Sequence, residues 1–339
     1  MRKKNFKYYS NTLLLKANAL KHRLLYTLKA GERKNQALKY QDAFEKHTFN
    51  FDIRTNDIKY FQTYGYFKKV ADLEKAVLIN EKGICYSSVG SPYKKHFNPL
   101  FPSYYGLVVY NEYLSTKSTE TLDIFWKQVN ALKEYGHFKD QLFYLPIPFD
   151  YPDFGLKAPW MAGITQALAA SMFFRARLLM PDGDFQKYHK GCIDSLYLNT
   201  VDNGIFCKSP EGKDWIEEYP SHQPSYVLNG FIFCIIAVIE YFIISQEQTY
   251  KTKAIRLIET LMASLHEYKI GKFWRYDRKH WKFSNLEYQA LHVFQFLHLY
   301  KLTNLDLFKE ISKDSNKHMN WNNFFYFYQM PKRNIKISD

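Results

Sequence analysis

The segment Tyr226–Ser245, YVLNGFIFCIIAVIEYFIIS, restricts the fold of this chain more than any other feature. It is about as long as a membrane-spanning helix and almost as apolar. Asn229 and Glu240 interrupt it, however, and a polar loop containing proline precedes it. We therefore favour a helix buried on most sides in a large helical core over a membrane span.

The rest of the chain also favours helices. Only 14 Gly and 12 Pro occur among 339 residues, and 46% of the residues are hydrophobic, which is enough for a large core. Pairs of helices joined by aromatic-rich loops are typical of an (α/α) toroid, so we expect a mainly α fold, an incomplete (α/α) toroid with a small N-terminal β-containing segment. Apolar periodicity predicts helices at 103–115, 119–135, 158–180, 184–198, 225–246, 249–268, 286–302 and 305–313.

Three parts are expected along the chain. Residues 1–45 form a basic helical arm, residues 46–100 a small β-containing segment, and residues 101–330 the catalytic toroid. Within the second part, Asn80–Gly83 lies between two short apolar runs, which predicts a β-hairpin. Residues 12–30 form an amphipathic basic helix that either docks on an acidic membrane surface or packs on its own domain.

Charge and cysteine content limit the partners and the compartment. The net charge is +14, and residues 1–40 carry eleven Lys or Arg against one Glu. A basic arm favours a polyanion, which could be nucleic acid, anionic lipid or an acidic polysaccharide. The four cysteines lack CxxC spacing and no signal peptide is visible, so we expect reduced, mostly buried thiols in a cytoplasmic protein.

Three stretches concentrate residues capable of chemistry. Residues 215–231 place two carboxylates, a tyrosine and a histidine in a loop before an apolar helix, where solvated carboxylates and a packed tyrosine are the alternative. Residues 271–282 interleave cations with aromatic rings, a pattern that suits sugars or single-stranded nucleic acid. In residues 287–295, Tyr288 and His292 share one helical face, although most tyrosines are structural.

Four motifs in order resemble the C-terminal domain of the D-glucuronyl C5-epimerases. The stretch DWIEEYPSHQPSYVLNGFIF at 214–233 is similar to that family's "EEYP…VLNGF" signature. The other three motifs are NPLFPSYYGL at 98–107, APWMAGITQALA at 158–169 and YQALHV at 288–293. Together they extend over about residues 75–303.

The resemblance implies a cofactor-independent uronate C5-epimerase that converts D-glucuronate to L-iduronate in an acidic polysaccharide such as heparosan. It assigns proton transfer to Glu218, Tyr219, Tyr276 and Tyr288, with no metal and no cofactor. Inverting C5 needs an acid and a base on opposite faces of the ring and a positive charge on the carboxylate. The expected substrate-binding residues are Arg275, Arg278, Lys279, Trp160, Gln166, His292 and Trp274.

A tyrosine that acts as a base needs a neighbouring cation, because its ordinary pKa is about 10. We expect Arg275, Arg278 and Lys279 to supply that charge around Tyr276. Lys279 stands where the family has an arginine. This lysine offers a single point of positive charge in place of a guanidinium that can bind both oxygens of a carboxylate.

Other functions remain alternatives. A polysaccharide lyase would form the same C5 carbanion, and a non-catalytic module would bind an acidic glycan or nucleic acid without chemistry. The expected partner is the acidic polysaccharide rather than nucleic acid, and a homodimer is compatible with the sequence. Because animal members carry a membrane anchor that is not visible here, we expect a cytoplasmic protein, soluble or peripheral at the inner membrane.

Overall fold

The structure is a computed structural model that describes residues 70–270, 273–280, 284 and 286–317. The basic arm at 1–45 and the part of the β-containing segment before residue 70 lie outside the described residues. The described helices are α1 Val70–Glu74, α2 Leu100–Thr116, α3 Thr119–Tyr135, α4 Gly163–Leu179, α5 Phe185–Ser195, α6 Leu228–Ser245, α7 Gln248–Tyr268, α8 Leu286–Thr303 and α9 Asp306–Lys317.

Eight short strands form four separate antiparallel hairpins in the described part of the chain. Their register pairs Val77 with Ser88, Phe138 with Phe143, Cys207 with Trp215, and Lys269 with Trp274. The strands are β1 Val77–Ile79, β2 Cys85–Ser88, β3 His137–Lys139, β4 Leu142–Tyr144, β5 Phe206–Lys208, β6 Asp214–Ile216, β7 Lys269–Ile270 and β8 Phe273–Trp274.

The longer helices alternate between an inner and an outer layer. The inner helices α2, α4, α6 and α8 contact one another in succession, and α3, α5, α7 and α9 each pack on the inner helix that precedes them. This arrangement confirms the expected mainly helical, incomplete (α/α) toroid with a small β-containing segment at β1 and β2.

The two ends of the toroid differ in their connections. At one end, short turns join each inner helix to its outer partner, and Lys117, Gln246 and Asn304 follow three of the inner helices in left-handed conformation. At the other end, each inner helix follows a longer segment that contains a hairpin. Side chains from these longer segments therefore gather at the N-terminal ends of the inner helices.

Helix α6 is the apolar segment singled out from the sequence. By length and composition it could cross a membrane, but 89% of its residues are buried inside the protein. Its neighbours are α4, α5, α7 and α8. The helix therefore occupies the expected place in the core, and its hydrophobicity matches its burial.

Three helix starts predicted from periodicity were wrong. Helix α2 begins at Leu100 rather than at 103. Helix α4 begins at Gly163 rather than at 158, because Trp160 exchanges two backbone hydrogen bonds with Ile147, with N–O distances of 2.7 and 3.3 Å. Helix α6 begins at Leu228 rather than at 225, because Tyr226 has a left-handed φ of 53°. The hairpin predicted around Asn80–Gly83 is confirmed as β1 and β2.

Candidate active site

Two adjacent carboxylates follow strand β6 and have different environments. Glu217 is fully buried and accepts hydrogen bonds from the backbone and hydroxyl of Ser225 and from the backbone of Tyr226. Its backbone carbonyl accepts a 3.0 Å hydrogen bond from Gly163, the first residue of α4. A Cβ atom at Gly163 would lie 2.5 Å from that oxygen, so glycine permits this close approach. Glu217 therefore holds the loop 217–226 in place.

Glu218 points in another direction, towards the tyrosines. Its side chain is buried, and its Oε2 accepts a 3.4 Å hydrogen bond from the amide of Asn229 on α6. A Cβ atom at Gly230 would come within 2.4 Å of the same Oε2 atom. The first turn of α6 thus orients the carboxylate through Asn229 and makes room for it through Gly230.

Three tyrosines from different segments meet at Glu218. The Tyr276 hydroxyl lies 3.3 Å from Glu218 Oε1 and 3.4 Å from the Tyr219 hydroxyl. The ring of Tyr288, on the first turns of α8, meets the ring of Tyr276 at 5.0 Å between centroids and 71°. All three phenols are half-buried. The four residues predicted for proton transfer are therefore neighbours, although the last lies 70 positions after the first.

Burial sets the protonation of this cluster. Loss of solvent raises the pKa of Glu218 to about 7, although hydrogen bonds from Tyr219 and Tyr276 act in the opposite direction. Burial, followed by the negative charge of Glu218, holds the pKa values of Tyr219 and Tyr276 well above their usual value. Near neutral pH the phenols are therefore proton donors, and Glu218 is the group that can exchange a proton most easily.

The expectation that cations lower the pKa of Tyr276 is corrected by the structure. The Arg275 guanidinium is buried and donates to the backbone carbonyls of Glu267 and Arg278. The Arg278 guanidinium forms a two-pronged ion pair with Glu211, with N–O distances of 2.8 and 3.2 Å. Both guanidinium groups therefore hold loops together. Lys279 is half-buried and forms no ion pair with the described residues.

Three further residues predicted to bind substrate lie in the interior. Gln166 bonds the backbone of Phe143 and Leu145 and the hydroxyl of Ser195. The indole of Trp274 donates to Ser315 and is only 1% exposed, so it cannot stack on a sugar in this structure. His292 is fully buried, and burial lowers its pKa to about 3. These side chains support the walls behind the cluster instead of lining it.

An aromatic group absent from the sequence-based expectations covers Tyr219. The Phe154 ring stacks on it at 4.0 Å between centroids and 17°, and the Tyr151 ring meets it at 5.4 Å. Trp160, which was expected at the cleft, lies 6.1 Å from the same ring. A run of aromatic residues in 143–160 was the only available signal, and it is not distinctive in a chain with 62 aromatic residues.

A histidine stands at the rim of the cluster. His280 Nδ1 lies 2.8 Å from Oδ2 of the buried Asp277, and the edge of its ring meets Phe154 at 5.5 Å. Asp277 thus fixes the orientation of a partly exposed imidazole beside the aromatic group. The described residues contain no group of three or more His, Cys, Asp or Glu placed to hold a metal ion.

Sequence comparison gives a family match over just over half of the chain. Residues 139–317 match the family described as D-glucuronyl C5-epimerase C-terminus. A Caenorhabditis elegans protein named D-glucuronyl C5-epimerase is 25% identical over 153 residues, which cover 40% of this chain and 25% of that protein. An uncharacterized protein of Methanocaldococcus jannaschii is 24% identical over 172 residues, covering 49% of this chain and 54% of that protein. The matches thus span about half or less of the length of these relatives.

Structural comparison supports the fold. The Lin0763 protein of Listeria innocua is similar with a TM-score of 0.51 and 13% identity, over 77% of this chain and 69% of that one. The cellobiose 2-epimerase of Spirochaeta thermophila is similar with a TM-score of 0.50 and 13% identity, over 77% of this chain and 72% of that one. At this level of identity the likeness extends to the arrangement of helices and no further.

Proposed function

We propose, because the chain belongs to the family described as D-glucuronyl C5-epimerase C-terminus, that it is a uronate C5-epimerase. Family membership supports a carbohydrate-modifying enzyme in general terms. The narrower proposal is conversion of D-glucuronate to L-iduronate within an acidic polysaccharide such as heparosan. The observation that carries it is the meeting of Glu218 with Tyr219, Tyr276 and Tyr288 at one end of the toroid.

The reaction breaks the C5–H bond, and the electron pair enters the adjacent carboxylate as an enolate. We assign the removal of this proton to Tyr276 together with Glu218. Glu218 accepts the phenol proton of Tyr276 across 3.3 Å, and the phenol oxygen accepts the C5 proton. The raised pKa of Glu218, about 7, fits a base that works near neutral pH.

The second half of the reaction returns a proton to the opposite face of C5. The phenols of Tyr219 and Tyr288 are the candidates, because burial raises the pKa of Tyr219 and so keeps its phenol protonated, and the ring of Tyr288 on α8 contacts the ring of Tyr276. The 3.4 Å contact between the hydroxyls of Tyr219 and Tyr276 gives a direct path by which the proton on Glu218 can be returned. The four groups therefore return to their starting protonation states after each turnover. The reaction changes no oxidation state, so it needs no oxidant or reductant.

Incubation with heparosan in D2O, followed by NMR at C5, tests the proposal. We expect deuterium at C5 and iduronate in the product, and we expect Tyr276→Phe and Glu218→Gln each to slow exchange by about 100-fold or more. Tyr300→Phe is a matched control, because this tyrosine lies near the far end of α8 and contacts Lys309.

Other outcomes would contradict the proposal. New absorbance from unsaturated uronate would identify a lyase, in which the carbanion expels the 4-linked sugar. Salt-sensitive binding without exchange, unchanged in Tyr288→Phe, would identify a binding module.

A further inference from the structure

We infer that Tyr93, Phe149, Tyr151 and Trp160, here called the aromatic ridge, bind the sugar units next to the reacting uronate. The inference rests on the proposed function, and it assigns these four rings to the subsites that flank the reacting unit of the chain. The ridge comes from two segments outside the four proposed proton-transfer residues: the loop before α2 and the loop between β4 and α4.

The ridge is continuous with the reacting centre. Tyr219 meets Tyr151 at 5.4 Å between ring centroids, and Tyr151 meets Tyr93 at 5.6 Å. Tyr93 in turn stacks on Phe149 at 4.3 Å and 10°, and Trp160 stacks with Tyr151 at 6.3 Å. Two ring-to-ring steps therefore lead from a proposed proton-transfer group to Tyr93.

These rings do not belong to the hydrophobic core. The core cluster and the apolar side chains packed against it include none of the four ridge residues, and none of Tyr219, Tyr276 and Tyr288. Each ridge residue is half-buried. Aromatic surface that is gathered in one place and left open to solvent marks a binding site more often than a packing unit. The flat, apolar faces of sugar rings are suited to stacking on such surfaces.

The loop that carries most of the ridge is fixed before any ligand binds. Ile147 and Trp160 exchange backbone hydrogen bonds, and the Trp160 indole donates to the carbonyl of Phe149 at 2.9 Å. Tyr151 and Leu156 form a second bridge within the loop. A surface held in this way loses little conformational entropy when a ligand binds.

The charge at the edge of the ridge suits an acidic chain. Lys94 and Lys95 follow Tyr93, are exposed and form no ion pair with the described residues. Asp150 pairs with Lys157 at 2.7 Å and accepts a hydrogen bond from the backbone N–H of Ala158, which leaves Asp153 as the opposing charge on the loop. The two lysines adjoin Tyr93 in the chain, and their positive charges would attract the carboxylate of a neighbouring uronate.

The dependence of turnover on chain length tests this inference. We would compare kcat/KM for C5 exchange on a heparosan decasaccharide and on a disaccharide, in the wild type and in Tyr93→Ala and Phe149→Ala. Loss of either ring is expected to lower the ratio of kcat/KM on the decasaccharide to kcat/KM on the disaccharide by about five- to tenfold, mainly through a higher KM for the decasaccharide. Tyr93→Trp, which keeps an aromatic face, is expected to retain the ratio.

Phe138→Ala is the matched control, because Phe138 is 40% exposed on β3 and its ring contacts Phe143 and Tyr188 rather than the ridge. Urea midpoints confirm that each variant is folded. The inference is overturned when both ridge variants keep the wild-type ratio.

Calorimetric binding of the decasaccharide separates this inference from the proposed function. If Tyr93→Ala binds the decasaccharide more weakly but the wild type shows no C5 exchange, the proposed epimerase activity is wrong and the proposed role of the ridge in binding stands. No binding of the decasaccharide to the wild type would reject the ridge as well.

Discussion

Glu217 and Glu218 are adjacent in the chain, yet only one of them faces the tyrosines. Alternation along the extended segment after β6 turns their side chains to different surroundings. Backbone and hydroxyl donors hold Glu217, whereas phenols and an amide surround Glu218. Burial raises the pKa of both carboxyls to about 7, so below that pH both bind protons more readily in the folded protein than a solvated carboxyl does.

A raised carboxyl pKa predicts a specific pH dependence of stability. Between its ordinary pKa of 4.5 and about 7, the Glu218 carboxyl binds more protons in the folded state than in the unfolded state. The free energy of unfolding therefore falls as the pH rises through this range, by up to about 3 kcal/mol for this group. Glu218→Gln removes the effect, so we expect its stability relative to the wild type to rise from pH 5 to pH 8 in urea titrations. Glu310→Gln, an exposed control, is expected to show no such trend.

A stability difference between Glu218→Gln and the wild type that stays constant over this pH range would contradict the prediction.

At the residue scale, the sequence predicted the four residues that we propose for proton transfer, but not the roles of their neighbours. The motif around Glu218 and Tyr219 could be recognised because its residues are contiguous. The structural roles of Arg275 and Arg278 could not be predicted from the sequence. Arg275 donates to backbone carbonyls and Arg278 pairs with Glu211, and only the folded loops bring these partners near. Phe154 was missed for the same reason, since its stacking on Tyr219 depends on the path of the loop.

At the scale of elements, a buried ion pair links α4 and α6. Arg175 and Glu240 are both fully buried, with a 2.7 Å N–O distance, and Arg175 also donates to the carbonyl of Ser171. Attraction between buried charges compensates for their lost hydration only while both are present. The pair therefore constrains how the two inner helices align.

The pair predicts strong coupling between two substitutions. Arg175→Met alone is expected to destabilise the protein by about 3–5 kcal/mol, because it leaves Glu240 buried without this cation. Adding Glu240→Leu is expected to restore part of that loss, as measured by urea unfolding. The exposed pair Lys127 and Asp123 on α3, 2.8 Å apart, serves as the comparison and is expected to contribute about 1 kcal/mol or less.

Additive losses at Arg175 and Glu240 would show that the two charges act independently.

Helices could be predicted where apolar residues repeat along one face and local residues mark the ends. Boundaries and strands that depend on pairing between distant segments could not. The predicted helix at 119–135 coincides with α3, because Ser118 caps it and Gly136 ends it within the local sequence. The hairpins at β3–β4 and β5–β6 were not predicted, because strands of three residues carry too little alternation to detect. The start of α4 depends on Ile147, which lies 16 residues before Gly163.

At the scale of the whole molecule, one hydrophobic core runs through the described helices from α1 to α9. Helix α6 is surrounded by this core, so its burial depends on every neighbouring layer. Unfolding of one helix pair would expose the apolar surface of the next.

A continuous core predicts cooperative unfolding. We expect one urea transition, with coincident curves from tryptophan fluorescence and far-UV circular dichroism. Trp215 and Trp274 are buried in hairpins at the site end and report on it. Two separated transitions would indicate that the toroid consists of independently stable parts.

The separation of the ridge from the proton-transfer residues has an evolutionary consequence. The groups proposed to transfer protons lie in the loop 217–226, just after β8 and on the first turns of α8, whereas the ridge lies in two other loops, which can vary without altering those segments. If both proposals hold, mutation of the ridge can change which polymer is preferred while the proposed acid–base residues stay the same. A library randomised at Tyr93 and Phe149 is a direct route to epimerases with new polymer preferences.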